Sequence, residues 1–257
     1  MFPNQTTSKI LKRNLRLKVS NAAVRSVDKK GGFDQFLKDV NKLLREDGIF
    51  LLEHADLLSI LKLKMFDTIC HEHLHYYSTK VIINIVLKHN LRVFDLKRNN
   101  INGGSTQYFI CKKNSKYKTN YKTINKILNE ERKFKLENKK TFLNFYKEIN
   151  TIKSKTIKFL DSIILKNKKI HGYGASTKGN VLLQYFAINQ NYIKFIADRN
   201  PKKYNHYTPG TKIKIISENI SRKLLPDYYL VLPWHFKKEI LKRESKMRAN
   251  GCKFIFP

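Results

Sequence analysis

Apolar residues at positions 33, 36, 37, 40, 43 and 44 recur at the three-to-four spacing of one helix face. That spacing predicts a helix over residues 33–45, stopped by Glu46-Asp47-Gly48. Ile49-Phe50-Leu51-Leu52 then reads as a buried strand ending in Glu53-His54, and the alternating Leu15-Arg16-Leu17-Lys18-Val19 reads as a short strand. Helix, turn and strand in this order are expected of the late part of a parallel α/β sheet. Further on, the pattern predicts helices over 57–65 and 78–88. Strands over 91–96 and 107–111 are joined by the turn Asn99-Asn100-Ile101-Asn102-Gly103-Gly104.

Residues 121–165 carry apolar side chains at Phe142, Phe145, Ile149, Ile152, Ile157, Leu160 and Ile163, in steps of three to five. One or two long, basic, amphipathic helices fit, and no heptad repeat is sustained long enough for a coiled coil. From residue 169 the pattern becomes strand-helix-strand. A strand over 170–174 enters a glycine turn, followed by a helix over 176–186 and a strand over 192–197. Another strand over 228–232, a helix over 236–247 and a closing strand over 253–256 complete an α/β fold.

Composition narrows the classes. At 257 residues with 41% apolar side chains, 16 Phe and 13 Tyr, the chain can bury a core and is not a disordered polymer. No apolar run approaches the ~18 residues of a membrane-spanning helix, and the N-terminal residues lack a signal-peptide core, so a cytoplasmic location is expected. Cys70, Cys111 and Cys252 are few and far apart, which supports neither a disulfide framework nor a cysteine zinc site. The balance of 52 Lys and Arg against 20 Asp and Glu gives a formal charge of +32. Nucleic-acid binding is one reading of that charge. Against it, the excess runs through the whole chain and is mostly Lys, without the Arg forks of base readout or a known nucleic-acid motif. A drift in composition that leaves a solvated basic surface is the alternative, and such a surface would favour a phosphorylated substrate.

The candidate chemistry is concentrated in Phe66-Asp67-Thr68-Ile69-Cys70-His71-Glu72-His73-Leu74-His75-Tyr76-Tyr77, which holds three of the eight His in the chain. Histidine ordinarily titrates near neutrality, so the cluster suggests a general base oriented by a carboxylate, for which Glu72 and Asp67 are at hand. The spacing i, i+2, i+4 departs from the H-E-x-x-H of zinc helices, yet leaves a metal possible if the segment is extended. A set of hydrogen-bonded turn residues is the third reading. A second candidate is His171-Gly172-Tyr173-Gly174-Ala175-Ser176-Thr177-Lys178-Gly179, where glycines between strand and helix could let backbone N–H groups approach a phosphate. It is neither a P-loop nor a complete dinucleotide fingerprint, and many such turns are purely structural. Asp198-Arg199-Asn200-Pro201, Tyr207-Thr208-Pro209-Gly210-Thr211 and Leu232-Pro233-Trp234-His235-Phe236 follow predicted strands, where α/β sheets bind ligands.

Taken in order, these phrases resemble the nucleotide-sugar C-methyltransferases that act on keto-deoxysugars with S-adenosylmethionine. The resemblance rests on residues 66–78, the Gly103-Gly104-Ser105 turn, residues 172–180, residues 198–211 and residues 232–236. It implies a Rossmann-like methyltransferase domain, of which residues 1–75 would be the last strands, and a second Rossmann-like α/β domain for the sugar nucleotide over 76–257. His73 matches the family base that removes the proton next to the ketone, with Glu72 beside it. His71 and Tyr76 would complete the wall, and Lys178, Asn180, Arg199, Tyr207 and Trp234 would face the nucleotide-sugar end. The family's Tyr before the His-Glu-His phrase is Cys70 here, and its Asn after Trp234 is His235. Its cysteine-rich zinc domain and the glycine-rich cradle for S-adenosylmethionine have no counterpart in this sequence. A separate chain carrying that half, or a non-catalytic nucleotide-sugar-binding remnant, are the expectations this leaves open. A nucleic-acid partner is the lesser one.

Overall fold

The structure is a computed structural model that describes residues 32–71, 73 and 75–257. The strand expected at 15–19 and the side chain of Glu72 lie outside the described residues. The chain forms two compact units, each built from more than one stretch of sequence. The first comprises residues 32–56, 77–100 and 104–133, and the second residues 57–76, 101–103 and 134–257.

In the first unit, helix α1 (Phe33–Leu43) turns Phe33, Phe36, Leu37 and Val40 inward. Strands β1 (Phe50–Ala55), β2 (Leu91–Asn99) and β3 (Ser105–Lys112) form an antiparallel sheet in the order β1-β3-β2. Among the described residues, β1 therefore pairs antiparallel and not in the parallel sheet expected around residues 49–54. A connection as short as that between β2 and β3 can only join antiparallel neighbours, and β1 takes the free edge of β3, pairing Phe50 with Ile110. Leu37, Phe50, Ile82, Val86, Leu91, Tyr108, Ile110, Ile124 and Ile127 make the core of the unit. Helix α3 (Thr79–Lys88) starts at the Ser78 cap, and the buried Glu131, near the end of α4 (Tyr121–Lys133), accepts from Thr79 N at 2.6 Å and Lys80 N at 3.2 Å. A carboxylate there satisfies N–H groups that the helix itself cannot, and sits at the positive end of its dipole.

The second unit begins with the short helix α2 (Leu57–Lys62) and a 3-10 turn (Phe66–Thr68). The basic stretch resolves into α4 of the first unit and the 26-residue α5 (Lys139–Ile164) of the second, about 39 Å long at helical rise. Five parallel strands follow: β4 (Ile170–Tyr173), β5 (Phe195–Asp198), β6 (Lys214–Ser217), β7 (Tyr228–Val231) and β8 (Lys253–Ile255). Their order, β6-β5-β4-β7-β8, is that of a doubly wound sheet whose winding reverses at β4. Helices α6 (Thr177–Phe186) and α7 (Glu218–Lys223) are crossover connections, each capped by the Ser that precedes it.

Two features of this unit differ from expectation. β6, of four residues, and α7, of six, have no forecast counterpart. The helix expected over 236–247 is two, α8 (Lys237–Arg243) and α9 (Ser245–Ala249). The break falls at Glu244, whose buried carboxylate takes the Tyr173 hydroxyl at 2.8 Å and pairs with Arg222. Among the described residues, no helix is long and apolar enough to cross a membrane.

Candidate active site

The described residues of the histidine-rich segment form neither helix nor strand. After the 3-10 turn at 66–68 the chain bends, with His73 N bonded to Cys70 O at 3.0 Å, and returns so that the Tyr76 hydroxyl donates to Thr68 O at 3.1 Å. That bond closes the loop across its base and commits the Tyr76 hydroxyl to the backbone. His71, His73 and His75 are all exposed on the loop. Among the described residues, no group of three or more His, Cys, Asp and Glu is gathered that could hold a metal ion.

The root of the loop is buried in the second unit. Phe66 stacks on Phe186 at 5.2 Å between ring centroids and contacts Tyr185 at 5.7 Å. Asp67 is 0% exposed, and its Oδ2 accepts from Trp234 Nε1 at 2.9 Å. Oδ1 of Asp67 and Oγ1 of Thr68 are buried without a partner, so neither Asp67 oxygen serves a described imidazole. Burial pushes the Asp67 carboxyl above the ordinary carboxylate range, against the opposing pull of the Lys178 ammonium and the Trp234 hydrogen bond. His235, beside Trp234, is driven down to about 4, first by burial and then by the same Lys178.

The glycine turn after β4 is filled by the protein itself. A Cβ on Gly172 would lie 2.7 Å from Ile196, one on Gly174 2.7 Å from Pro233, and one on Gly179 2.8 Å from Leu232. These glycines let strands and helix close on one another. The N–H of Ala175, where an anion would be greeted, donates instead to Asp198 Oδ2 at 2.7 Å, and Lys203 Nζ covers the Ala175 carbonyl at 2.6 Å.

An open cleft of about 310 Å³ lies alongside, at the carboxyl ends of β4 and β5. Thr177, Asn180, Lys202, Lys203, His206 and Tyr207 line it. Asn180 Oδ1 is without a partner, and Tyr207 is 60% exposed. The wall is stiffened by Thr208 Oγ1, which receives Ile213 N at 2.9 Å, and by Gln184 Nε2, which donates to Pro209 O at 2.9 Å. Two lysines, an imidazole and an amide around such a space suit an anionic, hydroxyl-bearing ligand.

The family model of the C-methyltransferase C-terminal domain matches residues 100–257. This chain belongs to that family. It is also 31% identical, over 223 residues, to C-methyltransferase NovU of Streptomyces niveus. The match covers 87% of this chain and 53% of the relative, so the chain spans about half the length of the curated relative it matches. The stretch matched by the family model takes in the whole parallel sheet, the cleft and Trp234.

Within this member of the family, the candidate residues other than Arg199 fall into three places. His71, His73, His75 and Tyr76 belong to the loop. Trp234 bonds to Asp67 and Lys178 acts on that carboxyl through its charge, whereas Asn180 and Tyr207 line the cleft. Residues two apart on a helix point about 200° from each other, which is why Lys178 and Asn180 part company. Arg199 is exposed, with its carbonyl taking the Tyr204 hydroxyl at 3.2 Å, and it is not among the residues lining the cleft. Lys202, Lys203 and His206 were missed by sequence reasoning. Their signal was the basic run Pro201-Lys202-Lys203 just past a strand that ends in Asp198.

Proposed function

We propose that this chain supplies the acceptor-binding and proton-removing side of an S-adenosylmethionine-dependent C-methyltransferase whose substrate is a nucleotide-linked keto-deoxysugar. The observation that carries the reading is the joint presence, in one unit, of an exposed histidine loop with a buried root and a cationic cleft at the carboxyl end of a doubly wound sheet. Membership of the C-methyltransferase family supports it.

The chemistry asked of the residues is simple. A ketone acidifies the adjacent C–H. An imidazole of His73 takes that proton, and the electron pair moves into the C–C–O system as an enolate, whose carbon becomes the nucleophile. Positioned base catalysis of this kind contributes about 10²–10⁴-fold. Glu72 is the neighbouring carboxylate that would orient the imidazole. Lys202, His206 and Asn180 would hold the diphosphate and sugar of the nucleotide, leaving the keto ring toward the loop. S-adenosylmethionine supplies the electrophilic methyl group when bound. The glycine turn after β4 does not fit that cofactor, since Ile196, Pro233 and Asp198 fill the space and the N–H it would use.

The test is solvent exchange of the proton next to the ketone, followed by NMR in deuterated water with a nucleotide-linked keto-deoxysugar. His73→Ala is expected to slow exchange by about 10²-fold or more while leaving binding of the sugar nucleotide in place. Exchange at the wild-type rate in His73→Ala removes it as the base. Binding without any exchange in the wild type favours the non-catalytic reading.

A further inference from the structure

The winding of the parallel sheet reverses at β4, with β5 and β6 on one side and β7 and β8 on the other. In doubly wound sheets the crevice outside the strand ends at such a reversal is where ligands are held. Here the two chain segments leaving β4 and β7 close directly on each other, Gly174 against Pro233. The residues that flank the reversal are Lys178, in the first turn of α6, and Trp234, just past β7. Both engage the same group, the Asp67 carboxyl, one by charge and the other through its indole N–H at 2.9 Å. The place where such sheets receive a ligand is thus taken by a carboxyl from the chain's own histidine-bearing segment.

We propose that Asp67 is a positioning residue, bonded to Trp234 so that the root of the loop presenting His73 is held in one place. The proposal rests on the reading of His73 as the base. Three observations carry it. The loop is closed across its base by the Tyr76 hydroxyl on Thr68 O, which ties its far end to the residue next to Asp67. Its histidines are exposed, so their orientation depends on that root. Asp67 itself is wholly buried with one oxygen unpartnered, an arrangement that costs folding energy and that a same-shaped apolar or amide group would relieve. A carboxyl placed there at such a cost fixes geometry rather than adding stability.

The test compares Asp67→Asn, which keeps an acceptor for the indole, with Asp67→Ala and Trp234→Phe, which remove the bond from either side. Amide hydrogen exchange by mass spectrometry needs no substrate. In Asp67→Ala and Trp234→Phe, residues 69–76 are expected to exchange at least about tenfold faster, while β4 and β7 keep their protection as the internal check on folding. The emission of Trp234, the only Trp in the chain, is expected to shift in Asp67→Ala. With the keto sugar nucleotide, kcat for proton exchange is expected to fall about 10–100-fold with little change in KM, as for a displaced catalytic group. Asp67→Asn is expected to restore both readouts to near wild type. Unchanged loop exchange and unchanged kcat in Asp67→Ala and Trp234→Phe overturn the proposal, as does an Asn variant no better than Ala. If the wild type shows no proton exchange, the base reading fails by itself, and the anchoring is judged on the amide exchange of residues 69–76 alone.

Discussion

His171 opens the glycine turn in sequence, yet it is 3% exposed and belongs to the core. Its Nδ1 pairs with Ser221 Oγ at 2.8 Å, which in turn meets the Tyr229 hydroxyl at 2.8 Å. Burial, with Lys169 adding to it, holds its pKa down to about 4 from an ordinary value of 6.5. The folded state therefore keeps this imidazole neutral in a range where the unfolded chain protonates it. The stability this represents is present above pH 6.5 and is lost as the pH falls toward 4. Between pH 7 and pH 5 the loss is on the order of 2 kcal/mol from this residue. His171→Gln, which can still bond Ser221, is expected to flatten the urea midpoint over that interval. A midpoint that falls as steeply in His171→Gln as in the wild type assigns the pH dependence to other groups. Asp67, raised rather than lowered, works in the opposite sense. Its charged form is disfavoured in the fold, so it subtracts stability as the pH rises through the carboxylate range.

Among the elements, the turn after β4 shows how a motif and its surroundings can disagree. Gly172-Tyr173-Gly174 has the residue types of an anion cradle, but a Cβ at 172 meets Ile196 and one at 174 meets Pro233. Gly174 also has φ of 85°, which side chains rarely adopt. Gly172→Ala is expected to lower stability by about 1–3 kcal/mol through overpacking alone. Sugar-nucleotide affinity, measured by calorimetry below the melting temperature, is expected to stay within about twofold. A large loss of affinity with full stability would return the turn to the ligand. Helices with a clear period and apolar runs bounded by turns were legible in the sequence: α1, α3, β2, β3, α5, α6 and the strands β4, β5, β7 and β8. What local pattern cannot show is which strands pair, and the antiparallel partnering of β1 with β3 joins residues such as Phe50 and Ile110 that are far apart in the chain. The site was legible in part for the same reason. His73, Asn180, Tyr207 and Trp234 stand in recognisable phrases, while the bond between Asp67 and Trp234 joins segments far apart in the chain.

At the scale of the whole molecule, the charge of +32 is spread along the chain rather than gathered in one segment. Its useful share lies where lysines converge on a concave space, as Lys202 and Lys203 do beside His206. Lys203 is partly spent on Ala175 and Asp198, so Lys202 is the cleaner probe. Lys202→Ala is expected to weaken sugar-nucleotide binding about tenfold and to make that binding less sensitive to salt, as for one lost charge-assisted bond. An unchanged Kd and salt slope place the diphosphate elsewhere. A polyanion reader would behave differently, with retention on DNA falling steeply as salt rises. The measurement that bears most directly on the account is proton exchange next to the ketone of a bound nucleotide-linked keto-deoxysugar, in wild type and His73→Ala. The account predicts exchange in the wild type and a loss of about 10²-fold or more in the variant, with binding retained. Equal rates in the two would contradict it.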